Sequence, residues 1–145
     1  MSLIRVFVDS DVIISSLIST SGAARFLLFG KRKLSLFISN ISKEELETVA
    51  TNLKINQQKL KNLIKTKFKV VRLGKKPETL KQKYKEYTTD PNDAHIVVGA
   101  VKSKANFLIS YNIRHFKIDK IKQDFKILVL TPANFLQYLR SKNFF

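Results

Sequence analysis

The chain has 145 residues and carries 27 Lys and Arg against 11 Asp and Glu, a formal net charge of +16, with no cysteine. That length suits one domain over residues 1–145 built on a single core, and the missing cysteines exclude disulfides, thiolate zinc sites and cysteine nucleophiles. Met1-Ser2-Leu3-Ile4-Arg5 lacks the pattern of a signal peptide and no apolar run approaches the ~20 residues of a membrane span, so a soluble, cytoplasmic protein is expected.

Residues 3–8 read as a short buried strand that ends in Asp9-Ser10-Asp11 before the chain turns apolar again at Val12-Ile13-Ile14. A loop containing Ser19-Thr20-Ser21-Gly22 leads into a helix from about Ala23 to Gly30, and Lys31-Arg32-Lys33 forms a basic turn. Residues 34–39 give a second strand. Ser42 and Glu45 then have the spacing of a capping box, with Ile41 and Leu46 as its hydrophobic staple. The helix they open is expected to bury Leu46, Val49, Ala50 and Leu53. A second amphipathic helix is expected over 56–67, with Leu60, Leu63, Ile64 and Phe68 facing inward.

Residues 69–73 form a weaker strand candidate, and 77–87 a helix. Asp90-Pro91 opens the next helix, which runs to about Lys104, because Asp is a good N-cap and Pro suits the first helical position. Strands follow at 107–110 and 126–130, then a terminal helix from Pro132 to about Arg140. The last residues, Phe144-Phe145, suit either packing against a second copy or a frayed tail. Strands alternating with helices imply an α/β fold: a parallel sheet covered on both faces.

In such sheets reactive groups gather beyond the carboxyl ends of the strands and at the amino ends of the following helices. Asp9, Asp11, Glu45, Asp90 and Asp93 occupy such places in a chain where acids are scarce. Clustered carboxylates repel unless cations neutralise them, and hard oxygen ligands suit Mg²⁺ or Mn²⁺. Asp9 and Asp93 carry the strongest functional signal. Glu45 has the competing role of completing the capping box, Asp90 that of an N-cap, and Asp11 that of capping the following turn. Asn112, after the 107–110 strand, can bind a metal-held water or phosphate, or serve only as a turn residue. His115 reads as a surface or turn histidine, and neither histidine has zinc-site spacing. With 4 glycines there is no Gly-rich phosphate loop.

Charge is lopsided along the chain. Between Lys54 and Lys85 twelve Lys or Arg accompany a single acid, Glu78, a stretch that attracts polyanions or stands as a solvated face. Lys31, Arg32, Lys33, Lys54, Lys59, Lys61, Lys65, Lys75 and Lys76 are the candidates for contact with a nucleic-acid backbone.

Taken in order, these motifs resemble the PIN-domain family of metal-dependent ribonucleases, particularly the toxins of toxin-antitoxin pairs. Val6 through Ser15 is similar to the family's opening strand and first acid, Asp9, with Asp11 where the family usually carries Asn. Ser39 through Leu46 resembles its second motif, with Glu45 as the acid. Asp90-Pro91-Asn92-Asp93-Ala94 resembles the third. Phe107 through Asn112, with His115-Phe116, resembles the fourth, although Asn112 stands where an Asp is usual. The resemblance implies a three-layer α/β/α fold with a central, mainly parallel sheet, and RNA cleavage assisted by Mg²⁺ or Mn²⁺. Asp9 and Asp93 would hold the metal, Glu45 would bind through water or orient the attacking water, and Asn112 would position water or phosphate. It also implies a homodimer and a protein antitoxin.

Two other readings fit parts of the pattern. Asp9-Ser10-Asp11 matches the nucleophile and acid of haloacid-dehalogenase-like phosphatases, whose second acidic motif follows a hydrophobic strand. A PIN-like module that has lost catalysis through Asn112 would only bind RNA or a partner.

Overall fold

The computed structural model describes residues 3–30, 33–74 and 76–142. Lys31, Arg32, Lys75 and the Phe144-Phe145 tail lie outside the described residues. Five strands, β1 (Ile4–Val8), β2 (Leu34–Ser39), β3 (Phe68–Val71), β4 (Phe107–Ile109) and β5 (Leu128–Leu130), form one sheet in the order β3-β2-β1-β4-β5. Every pairing is parallel, with Val6 opposite both Leu36 and Phe107.

Alternation along the strands makes the layers. Val6, Val8, Leu36, Ile38, Phe107 and Ile109 point to one face. There they meet α1 (Ser10–Ile18), α2 (Ala23–Phe29), α3 (Asn40–Asn52), α4 (Gln57–Lys67) and α8 (Pro132–Ser141). Phe7, Phe37, Leu108 and Val129 point the other way, onto α6 (Ala94–Lys102) and α7 (Ile118–Phe125). A smaller cluster of Leu73, Leu80 and Val98 seats α5 (Pro77–Tyr84) beside α6. This is the expected three-layer α/β/α arrangement. One close approach depends on a missing side chain: a Cβ on Gly99 of α6 would stand 2.4 Å from the fully buried ring of Phe7.

Several local expectations are corrected. The apolar run after Asp9 is helix α1, and α7 fills a stretch in which no element was foreseen. The α3 cap is Ser39, whose hydroxyl accepts from the Ser42 backbone at 3.0 Å, so the Ser42–Glu45 capping box does not form. Ser39 wins because it ends β2 in extended conformation, which is where a cap must sit. Leu46 and Ala50 are buried as expected, whereas Val49 and Leu53 are exposed. The helix foreseen over 77–87 ends at Tyr84 and tightens into a 3-10 turn, Lys85–Tyr87. A second 3-10 turn, Pro91–Asp93, precedes α6.

No single helix among the described residues is long and apolar enough to cross a membrane. The consecutive pair α1 and α2 reaches that composition together but is bent by 96°, and both helices contribute to the core.

Candidate active site

From β1 the chain passes to β2 on one side and later crosses to β4 on the other, so the connections diverge between β1 and β4. A crevice at the carboxyl ends of the strands belongs at such a switch point. Asp9 leaves β1 there, held by its own N–H donating to the Ile109 carbonyl at 2.9 Å. Its carboxylate caps α1, accepting from the Ser10 N–H at 2.8 Å, and accepts from the Ser110 hydroxyl at 2.8 Å. Asp11, in the first turn of α1, accepts at Oδ2 from the Tyr111 N–H (3.0 Å), the Asn112 amide (3.2 Å) and the Ser110 hydroxyl (3.3 Å). Its Oδ1 is buried with no hydrogen-bond partner.

Burial, and then the neighbouring Asp11 carboxylate, push Asp9 up to about 7; Asp93 adds to the rise, and the Ser110 and Ser10 hydrogen bonds oppose it. Burial likewise raises Asp11 against its hydrogen bonds. Asp93 is raised by burial, with the nearby His115 opposing and Asp90 and Glu45 reinforcing. These mutual effects put Asp9, Asp11 and Asp93 within electrostatic range of one another, with Asp90 and Glu45 felt at Asp93.

Asp93 closes the Pro91–Asp93 turn, whose cap is Asp90, accepting from the Asn92 N–H at 3.0 Å. The segment before it is fastened to the loop after β4: the Thr89 N–H donates to His115 carbonyl at 2.9 Å and the Lys117 N–H to Tyr87 carbonyl at 2.8 Å. That fastening sets His115 Nδ1 at 3.3 Å from Asp93 Oδ2. His115 is therefore a turn histidine, as expected, and also a neighbour of an acid.

Glu45 lies in the second turn of α3 rather than at the capping-box position, and it is half exposed. What holds it is His95 of α6, whose Nε2 is 2.9 Å from Glu45 Oε1. The imidazole is 8% exposed and its Nδ1 has no partner. His95 and Ser110 are the site residues that sequence reasoning did not assign. The available signal for His95 was one polar ring at the head of an otherwise apolar helix, two residues after Asp93.

Among the described residues no three His, Cys, Asp or Glu side chains draw close enough to cage a metal ion. Bringing three carboxylates to one point is opposed by their repulsion, so a close pair with further acids at electrostatic range is what the side chains alone support. The donor set fits a hard divalent cation: carboxylate oxygens, an unpartnered buried Asp11 oxygen, and an Asp9 whose charge is disfavoured until something positive arrives. The phosphatase arrangement does not fit, because Asp90 and Asp93 follow a 3-10 turn and not a core strand.

The candidate lysines are dispersed. Lys65 shares a hollow with Leu3 and Leu34 at the amino ends of β1 and β2, a strand length of roughly 17 Å from the carboxylates. Lys33 enters β2 at that same end, Lys54 lies between α3 and α4, and Lys59 and Lys61 stand exposed on α4. Lys76 is the residue before α5, after the chain has left the carboxyl end of β3, and makes no side-chain cap.

Comparison with known proteins agrees with this architecture. No curated protein matches the chain in sequence. Among solved structures it is similar to a toxin-antitoxin complex from Klebsiella pneumoniae, at 21% identity and TM-score 0.62 over 88% of this chain and 97% of that one. VapBC-1 from nontypeable Haemophilus influenzae aligns at 16% identity and TM-score 0.60 over 90% and 99%. VapBC2 from Rickettsia felis, bound to a DNA fragment from their promoter, aligns at 13% identity and TM-score 0.58 over 88% and 98%. A PIN domain family model matches residues 5–114, a span that takes in Asp9, Asp11, Glu45, Asp93 and Asn112. The chain belongs to the PIN domain family.

Proposed function

We propose that this protein is a metal-dependent endoribonuclease and the toxin of a type II toxin-antitoxin pair. The observation that carries this reading is the convergence of Asp9 and Asp11 on Ser110, with Asp93 near enough to perturb Asp9, at the carboxyl ends of β1 and β4 in a PIN domain. Asp9, Asp11 and Asp93 would hold Mg²⁺ or Mn²⁺, with Asp90 and Glu45 at the margin. A cation bound there supplies Lewis-acid polarisation of a phosphoryl oxygen and hydroxide near neutral pH.

The chain's own residues do the rest. Asn112 donates its amide to Asp11 and so supports an acid instead of supplying one, which lets Asp11 take the charge that the fourth motif lacks. Glu45, oriented by His95, is the group placed to accept a proton from an attacking water. The lysine-rich surface, net charge included, draws the RNA backbone in without reading its sequence. The shared fold of the Klebsiella toxin-antitoxin complex supports an antitoxin partner, and family resemblance supports a homodimer.

Wild-type protein with Mn²⁺ is expected to cleave single-stranded RNA, and Asp93→Asn to abolish cleavage while melting as a folded protein. Equal cleavage by both contradicts the assignment of Asp93. RNA binding with no cleavage by either indicates a binding module, and turnover of a small phosphomonoester with RNA untouched contradicts the ribonuclease.

A further inference from the structure

We infer that the loop after β4 forms a subsite for one unpaired base of single-stranded RNA, with Tyr111 as its stacking face and Arg114 as its phosphate contact. The inference rests on the ribonuclease reading and adds two residues that bind the substrate. Tyr111, Asn112, Ile113, Arg114 and His115 line a cavity of about 280 Å³. That is close to the ~300 Å³ at the small end of ligand pockets, which is room for one base.

Two of the lining residues belong to the acid constellation: Asn112 donates to Asp11 and His115 meets Asp93. A nucleotide seated in the cavity therefore has its flanking phosphate beside the carboxylates. Tyr111 is 43% exposed, although its own N–H is tied to Asp11. Its neighbours are fixed as well: the Asn112 N–H donates to the Ser110 hydroxyl at 3.0 Å and the His115 N–H to the Asn112 carbonyl at 3.0 Å. Phe116 anchors the loop's end in the core. An exposed ring on an immobilised loop is preorganised for stacking, which every base offers and only an unpaired base permits. Arg114 is exposed in the same wall.

The test is binding of a fluorescent single-stranded RNA oligomer in Mg²⁺ buffer, followed by anisotropy in the Asp93→Asn background, beside steady-state cleavage by the same changes in the active chain. Tyr111→Ala is expected to weaken binding about 5- to 150-fold, with Tyr111→Phe restoring it and Tyr111→Leu failing to. In cleavage the loss falls on KM with kcat little changed. Arg114→Gln is expected to lower the slope of log affinity against log salt by about 0.7. Unaltered binding and KM in Tyr111→Ala overturn the subsite while leaving the ribonuclease intact. Equal affinity for a fully paired duplex also overturns it. A parent protein that neither binds nor cleaves RNA overturns both.

Discussion

Asp9 shows how a residue reports its task through its environment. Its native proton affinity, about 7 against an ordinary 3.8, means that the folded chain holds a proton the unfolded chain releases between those values. Stability from this group is therefore complete below pH 4 and declines as pH rises towards 7. In metal-free buffer Asp9→Asn is expected to remove that decline and to gain on wild type by a few kcal/mol between pH 4 and 8, less what the altered cap costs. Denaturant titrations across that range check it, and a constant difference between the two proteins would contradict it. At Glu45 the decisive neighbour is His95. His95→Ala is expected to cost about 10- to 100-fold in cleavage, and almost nothing further once Glu45→Gln is present. Additive losses in the double variant would separate the two residues. Asp9 stands out in the sequence because it interrupts an apolar run, and Asp93 because it lies four and eight residues before Val97 and Val101, at the open end of a core-facing stripe. Ser110 was legible only as a strand end, since its bond to Asp9 spans 101 residues and depends on the β1–β4 register.

Elements were legible where periodicity or capping was strong and local. Helix α4 has Asn56 as its side-chain cap and buries Leu60, Leu63 and Ile64 as its spacing predicts. Helix α1 was concealed because its apolar residues continue directly from a strand and its cap is the same Asp9 that signals the site. Helix α7 has no side-chain cap at its start, and it buries Ile121 alone outright. Competition between Ser39 and Ser42 for the start of α3 was settled by where β2 ends. Ser39→Ala is accordingly expected to cost about 1 kcal/mol, and Ser42→Ala not to act through a cap. Packing between layers gives a sharper prediction. Gly99→Ala forces α6 away from Phe7 and is expected to destabilise by about 1–3 kcal/mol, with Phe7→Leu recovering part of the loss. A Tm unchanged by Gly99→Ala would mean that α6 and β1 are not in that contact.

At the scale of the whole molecule, the lysines are spread over both ends of the sheet while the candidate-site acids lie at one. Asp9, Asp11 and Asp93 lie at the carboxyl end of the sheet, Lys65 and Lys33 at the other end, and Lys76 follows the carboxyl end of β3. Lys76→Gln should accordingly weaken RNA binding more than Lys65→Gln, and the reverse order would place the RNA path elsewhere. The fold class was legible because alternating strands and helices admit few arrangements. The dispersal of the lysines was not, since a charge run in sequence divides among helix faces and strand ends once the chain folds. The central claim, that Asp9, Asp11 and Asp93 serve one divalent cation, is tested most directly by calorimetric titration of Mn²⁺ into wild type, Asp9→Asn and Asp93→Asn at pH 7. Saturable binding with proton release in wild type, weakened at least tenfold in each variant, is the expected result; equal binding by all three proteins would contradict the claim.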